Sequence, residues 1–234
     1  MSDRFPFKLP QQIFSLHDAG IPAGNVVSVH GVGYVPIPKC ACTALKIACY
    51  EAQTGETYSN HFDAIHEEFD YAACDMTRFS ADCEHVKMVV LREPIARFLS
   101  AFNNRVIDRQ ELSERWFTEH APNDLRSFAD RDLPFDPDIG LFIDRIEDYI
   151  AASQIIQHHF VPQFYFFVDL NFYDAVFTTD RLVDVQTFLS QVWQLPVALR
   201  RVQESSKTLS LSDIDSRRID RLREFYARDH QAIA

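Results

Sequence analysis

The sequence predicts an α/β fold in three layers, a central and mainly parallel sheet flanked by helices. Two β-branched, apolar runs, residues 26–36 and 86–91, each lead through a short loop into a stretch of helical spacing. A third run, 174–178, precedes another helical stretch. Strands that alternate with helices pair in parallel and are covered on both faces, so they read as near-continuous apolar runs.

Residues 1–24 are punctuated by proline and show little periodicity, an irregular lead-in with one short helical stretch at 11–17. The strand at 26–36 carries glycines, and helical spacing then runs through 43–53 by way of Leu45, Ala48 and Cys49. After the strand at 86–91, Pro94 suits the first turn of a helix reaching about Val106. Residues 108–136 read as mixed helix and loop, and 139–153 as one amphipathic helix. Helices are predicted again over 183–194 and 212–233. No repeat or linker divides the chain, and 234 residues that are 47% hydrophobic suit one domain spanning 1–234. The 20 phenylalanines, dense around 164–177, read as core.

Net charge is −11, which argues against a broad nucleic-acid surface and against a long polyanionic acceptor; any anion site must be local. Five cysteines, three of them (Cys40, Cys42, Cys49) within ten residues, fit a reduced compartment better than a disulfide framework. The N-terminus has no apolar h-region, and no run approaches the roughly 18 apolar residues of a membrane span, so the expected location is cytoplasmic.

The segment 38–46, Pro-Lys-Cys-Ala-Cys-Thr-Ala-Leu-Lys, leaves a strand and opens a helix. The backbone amides of Cys40, Ala41, Cys42, Thr43 and Ala44 and the positive end of the helix dipole would converge on one anion. Lys39 would neutralise charge at the strand end, Thr43 would offer a hydroxyl in the first turn, and Lys46 lies one turn later. The plain alternative is a strand–helix junction with an N-capping Thr43 and two solvated lysines. A nucleotide kinase is disfavoured, because G-x-x-x-x-G-K-[ST] requires glycines and a Lys followed by Ser or Thr, and this segment has neither.

The segment 91–102 reads R-x-P-x-x-R-x-x-S-x-F. Arg92 sits at the strand end and Ser100 two helical turns on, so both can meet one anion lying beside the helix's first turns. Arg97 either braces the loop or pairs with Glu93, one turn earlier.

With both segments in view, the chain resembles the carbohydrate sulfotransferase superfamily, in the branch of chondroitin and HNK-1 sulfotransferases and their bacterial relatives. The resemblance implies a P-loop-like fold and a co-substrate, 3′-phosphoadenosine 5′-phosphosulfate. It implies that Lys39, Thr43 and the 40–44 backbone hold the 5′-phosphosulfate, and that Arg92 and Ser100 hold the 3′-phosphate. Weaker similarity lies in His159-Phe160-Val161-Pro162-Gln163 and in Tyr226-Ala227-Arg228-Asp229. Two departures stand out: the N-terminal anchor of eukaryotic members is missing, and residues 202–207 lack an Asn that relatives often carry.

Sulfuryl transfer is an in-line displacement that needs charge stabilisation, register and a proton acceptor, and requires no metal. Lys39 and Lys46 would supply the charge. His66 with Glu67 is the first choice of base and His159 the second, against the alternative that His159 is a buried structural imidazole; His158 reads as exposed and uninvolved. Cys-x-Cys lacks zinc-site spacing, while Cys40 and Cys42 at a helix N-terminus are candidates for thiol reactivity. The expected partner is a hydroxyl-bearing acceptor, carbohydrate or small molecule, and exposed Phe would serve either its cleft or a dimer face. Two other function classes stay open: a nucleotide-binding module without turnover, and a P-loop-like kinase.

Overall fold

The computed structural model describes residues 26–62, 64–68, 85–167, 169–200 and 209–233. The lead-in 1–24 with its helix at 11–17, Cys74, Cys83 and residues 202–207 lie outside the described residues.

The first predicted strand is two. β1 (Val27–Val29) and β2 (Val32–Val35) form an antiparallel hairpin with Val29 opposite Val32. The two-residue turn between them is His30-Gly31, with φ of 46° and 77°. A tight hairpin turn of this hand needs positive φ at both central residues, and Gly31 takes it without steric cost. This turn breaks the single strand expected over 26–36.

Next come α1 (Cys42–Thr54), a short α2 (Ile65–Glu68), and β3 (Val86–Leu91), which pairs in parallel with β2. α3 (Pro94–Ala101) passes into a π-helical segment, Phe102–Asp108. Then follow α4 (Glu114–His120), α5 (Pro122–Asp130), α6 (Ile139–Asp144), α7 (Ile146–Ala152), α8 (Gln154–Phe160) and α9 (Phe164–Phe167). β4 (Ala175–Thr178) pairs in parallel with β3 and leads to α10 (Leu182–Trp193), and α11 (Ser216–Phe225) and α12 (Ala227–Ile233) close the chain. The sheet order is β1-β2-β3-β4.

The helix expected over 139–153 is divided at Arg145, which leaves helical geometry (φ −125°, ψ 28°) while its guanidinium donates to the carbonyls of Arg131 and Asp132. The last helix is divided at Tyr226, a buried side chain whose hydroxyl donates to the Phe160 carbonyl. In both places a side chain that ties distant backbone overrides local periodicity, which spacing alone does not encode.

β3 shows why the layers form. Val89 and Leu91 face one hydrophobic cluster, with Ile95 and Phe98 of α3 and the aromatic residues of α6–α9; Met88 and Val90 face the other, with Leu45 of α1 and Leu189 of α10. A strand between two parallel neighbours has no wet face, and its sequence, Val-Lys-Met-Val-Val-Leu, is apolar on both sides. Thus α1 and α10 cover one face of the sheet and α3 with α6–α9 the other, the α/β arrangement that was predicted. Among the described residues no helix is long and apolar enough to cross a membrane.

Candidate active site

β2 and β3 run parallel and end side by side, so the segments that follow them meet at the carboxyl edge of the sheet, where open α/β sheets bind ligands. After β2 the Cys40 amide donates to the Ile37 carbonyl at 3.1 Å, closing a turn. Lys39 (φ 67°) and Ala41 (φ 60°) then take left-handed backbone, although neither is glycine. Such a conformation costs on the order of 1–2 kcal/mol per residue and persists where the surroundings enforce it. Ala41 is the N-cap of α1 and no side chain caps the helix. The first amides of α1 therefore face the loop without a capping oxygen, at the positive end of a 13-residue helix.

Both lysines of the segment depart from the solvated alternative. Lys39 is half-buried and its Nζ donates to Asn104 Oδ1 at 2.9 Å. Burial, with the nearby charges of Arg105, Arg92 and Arg109, lowers its pKa to about 8. Lys46 is buried, which lowers its pKa to about 8 as well. Thr43 is the second helical residue, not the N-cap; its Oγ1 lies 3.1 Å from His66 Nε2, and His66 Nδ1 lies 2.8 Å from Lys46 Nζ. The Cys40 thiol is buried and donates to Gln163 Oε1 at 3.1 Å; burial pushes its pKa up to about 12, so the helix terminus does not make it reactive. Cys42 and Ala44 stand in the first turn of α1, Cys42 half-buried.

Behind β3, Glu93 spends both carboxylate oxygens on α3, accepting from the amides of Ile95 and Ala96 at 3.1 and 2.7 Å. That cap satisfies the N-terminus of α3, so an anion at this segment has the Arg92 guanidinium and the flank of the helix to bind, where Ser100 lies half-buried. Arg92 Nη1 donates to the Lys39 carbonyl at 3.1 Å, tying the two segments together. Arg97 does not pair with Glu93. It is fully buried and donates from Nε to the Pro38 carbonyl at 3.0 Å and from Nη1 to the Val161 carbonyl at 2.8 Å, bracing the first loop from beneath. Arg97→Met leaves both carbonyls without donors, and the expected loss is about 3 kcal/mol. It is read as a lower urea midpoint at unchanged slope.

His66 reaches the first segment from α2; the Glu67 backbone continues that helix, and its side chain lies outside the described residues. His159 is 6% exposed, with Nδ1 2.8 Å from the Ile155 carbonyl, and burial holds its pKa well below the usual value. His158 is exposed as expected, although burial of its surroundings and the positive charge of Arg105, Arg97, Lys46 and His66 lower its pKa to about 4. Sequence reasoning also missed Asn104 and Arg105. The π-helical turn carries both: Asn104 meets Lys39, and Arg105 pairs with buried Glu111 at 2.8 Å. Their signal was a polar run, Asn103-Asn104-Arg105, inside an otherwise apolar helix.

The family model described as the sulfotransferase family matches residues 25–232. The chain is a member of the sulfotransferase family. No curated protein and no solved structure matches it. For this sulfotransferase-family chain the match runs from β1 to α12 and takes in both candidate anion segments. Membership supports sulfuryl transfer as the general activity.

Proposed function

We propose that the chain transfers a sulfuryl group from 3′-phosphoadenosine 5′-phosphosulfate to a hydroxyl of a carbohydrate or small-molecule acceptor. The observation that carries this reading is the hydrogen bond from Arg92 to the Lys39 carbonyl. It places two cationic segments, each at the end of a parallel strand, side by side, as a donor with phosphate on both the 3′ and 5′ positions requires. The donor supplies the sulfuryl group and the leaving phosphate. Lys39 and the amides of Cys40 to Ala44 receive the 5′ end, except that the Cys40 amide is committed to Ile37; Arg92 and Ser100 receive the 3′-phosphate.

His66 handles the acceptor proton in this reading. Hydroxyl, imidazole and amine stand in a row from Thr43 to Lys46. While Lys46 is an ammonium it can only donate to Nδ1, which leaves the hydrogen on Nε2; once Lys46 loses its proton the amine can accept from Nδ1–H, which frees Nε2 as an acceptor. Glu67, the carboxylate paired with His66 in the sequence, follows it on the same helix. His159, buried and tied to Ile155, is the second candidate.

A pH dependence follows with its sign. Proton acceptance at Nε2 grows as pH rises through the Lys46 value of about 8, while the charge on Lys39 falls as pH rises through its value, also about 8. The profile of kcat/KM is therefore a bell centred near pH 8, and Lys46→Met moves its acidic limb to lower pH, where protonation of the imidazole itself sets it. His66→Ala lowers kcat by about 10²-fold or more.

The activity is tested by incubating the chain with the phosphosulfate donor and a panel of neutral sugars, glycolipids and small alcohols, measuring adenosine 3′,5′-bisphosphate released. Acceptor-dependent release supports the reading. Donor binding without release on any acceptor would leave the non-catalytic nucleotide-binding alternative in its place.

A further inference from the structure

Gln163 stands fully buried between α8 and α9, and its carboxamide joins both anion segments. Oε1 accepts from the Arg92 amide at 3.0 Å and from the Cys40 thiol at 3.1 Å, while Nε2 donates to the Arg92 carbonyl at 2.7 Å. β3 stops at Leu91, so the backbone of Arg92 has outrun its ladder. The side-chain amide of Gln163 offers that residue one donor and one acceptor, as a neighbouring strand would.

Gln163 is itself held. Its amide donates to Asp229 Oδ2 at 2.7 Å and the Phe164 amide donates to Asp229 Oδ1 at 2.9 Å. Asp229 lies on α12, is fully buried, and reaches the site through these bonds and through the nearby charge of Arg97. A buried carboxylate that accepts two backbone hydrogens fixes the turn more firmly than packing alone. The chain of contacts runs from α12 through Gln163 to Arg92 and Cys40, and from Arg92 to Lys39.

We infer that Gln163, anchored by Asp229, is the positioning residue that sets the spacing of the two anion segments, and so selects a ligand carrying both phosphates over one carrying either alone. The inference rests on the donor reading above. Its physical content is that a ligand bridging two segments depends on the distance between them, whereas a ligand on one segment does not.

The test titrates wild type, Gln163→Glu and Asp229→Asn with adenosine 3′,5′-bisphosphate, adenosine 5′-phosphate and adenosine 3′-phosphate. Gln163→Glu keeps the shape but sets a carboxylate oxygen against the Arg92 carbonyl. Bisphosphate affinity is expected to fall about tenfold while each monophosphate changes by less than about threefold. In an Arg92→Ala background the same substitution is expected to cost less than about threefold, because it acts through Arg92. Equal losses for all three ligands, or none, in folded variants overturn the positioning role. Should Gln163→Glu fail to give a cooperative melt, Cys40→Ala removes one link of the carboxamide and is read by the same selectivity. Wild type that binds none of the three ligands overturns the donor reading itself, and the positioning role with it.

Discussion

Lys39→Ala is expected to lower kcat by about 10²–10³-fold at saturating donor, the cost of deleting one pre-set charge at a developing anion. Left-handed φ at Lys39 turns the chain at the end of β2, and the Arg92 hydrogen bond to its carbonyl and the Asn104 bond to its amine hold it there. The ammonium is thus oriented before ligand arrives. It is also raised in energy, because burial and three neighbouring arginines press its pKa down to about 8. An arriving anion relieves that pressure and raises the pKa, so binding near pH 8 takes up protons, and donor affinity declines as pH climbs through 8 and above. Lys39→Arg retains a charge but not its shape, and is expected to recover binding more than turnover. A Lys39→Ala enzyme with kcat unchanged would remove Lys39 from the chemistry. Single-turnover mixing with the donor supplies the number.

Arg92→Ala is expected to weaken adenosine 3′,5′-bisphosphate binding by about 10–100-fold, equivalent to losing one or two charge-assisted hydrogen bonds. Glu93 has already capped α3, so no competing amide at this helix start can substitute for the guanidinium. The same group braces Lys39, and kcat should therefore fall with affinity, unlike a change at Ser100, which should affect affinity alone. Arg92→Lys is a poor replacement, because an ammonium lacks the planar fork that gives one arm to the Lys39 carbonyl and leaves the others in fixed geometry for a phosphate. Calorimetric titration separates these cases, and equal affinity for wild type and Arg92→Ala would move the 3′-phosphate elsewhere.

Much of this architecture was legible from the chain. The apolar run Val86–Leu91 matches β3 residue for residue, because a strand buried on both faces leaves an unbroken hydrophobic signature. The two candidate anion segments stand out in the sequence as basic residues at strand ends, and Pro94 marks the start of α3. The hairpin at His30-Gly31 was not seen, since both strands are apolar and the run carries two glycines, Gly31 and Gly33, of which spacing does not say which marks a turn. Left-handed backbone at Lys39 and Ala41 was invisible for a stronger reason. The absence of glycine argues against such a turn, and what enforces it, Arg92 on the Lys39 carbonyl and Arg97 on Pro38, lies more than fifty residues away in sequence. For Arg97 the sequence left loop bracing and a Glu93 pair open by the same limit: spacing shows the partner one turn away, not the carbonyls brought beneath the loop by the fold. Gln163 and Asp229 could be seen as residues of two resembling motifs, yet nothing in their spacing says that one holds the other.

The central claim is that the two segments form one site for a nucleotide bearing 3′ and 5′ phosphates, and it is tested most directly by titrating the wild-type chain in a calorimeter with adenosine 3′,5′-bisphosphate against Mg-ATP. The account predicts one bisphosphate bound per chain and little heat from Mg-ATP. Preference for Mg-ATP, or no binding of the bisphosphate, would contradict it.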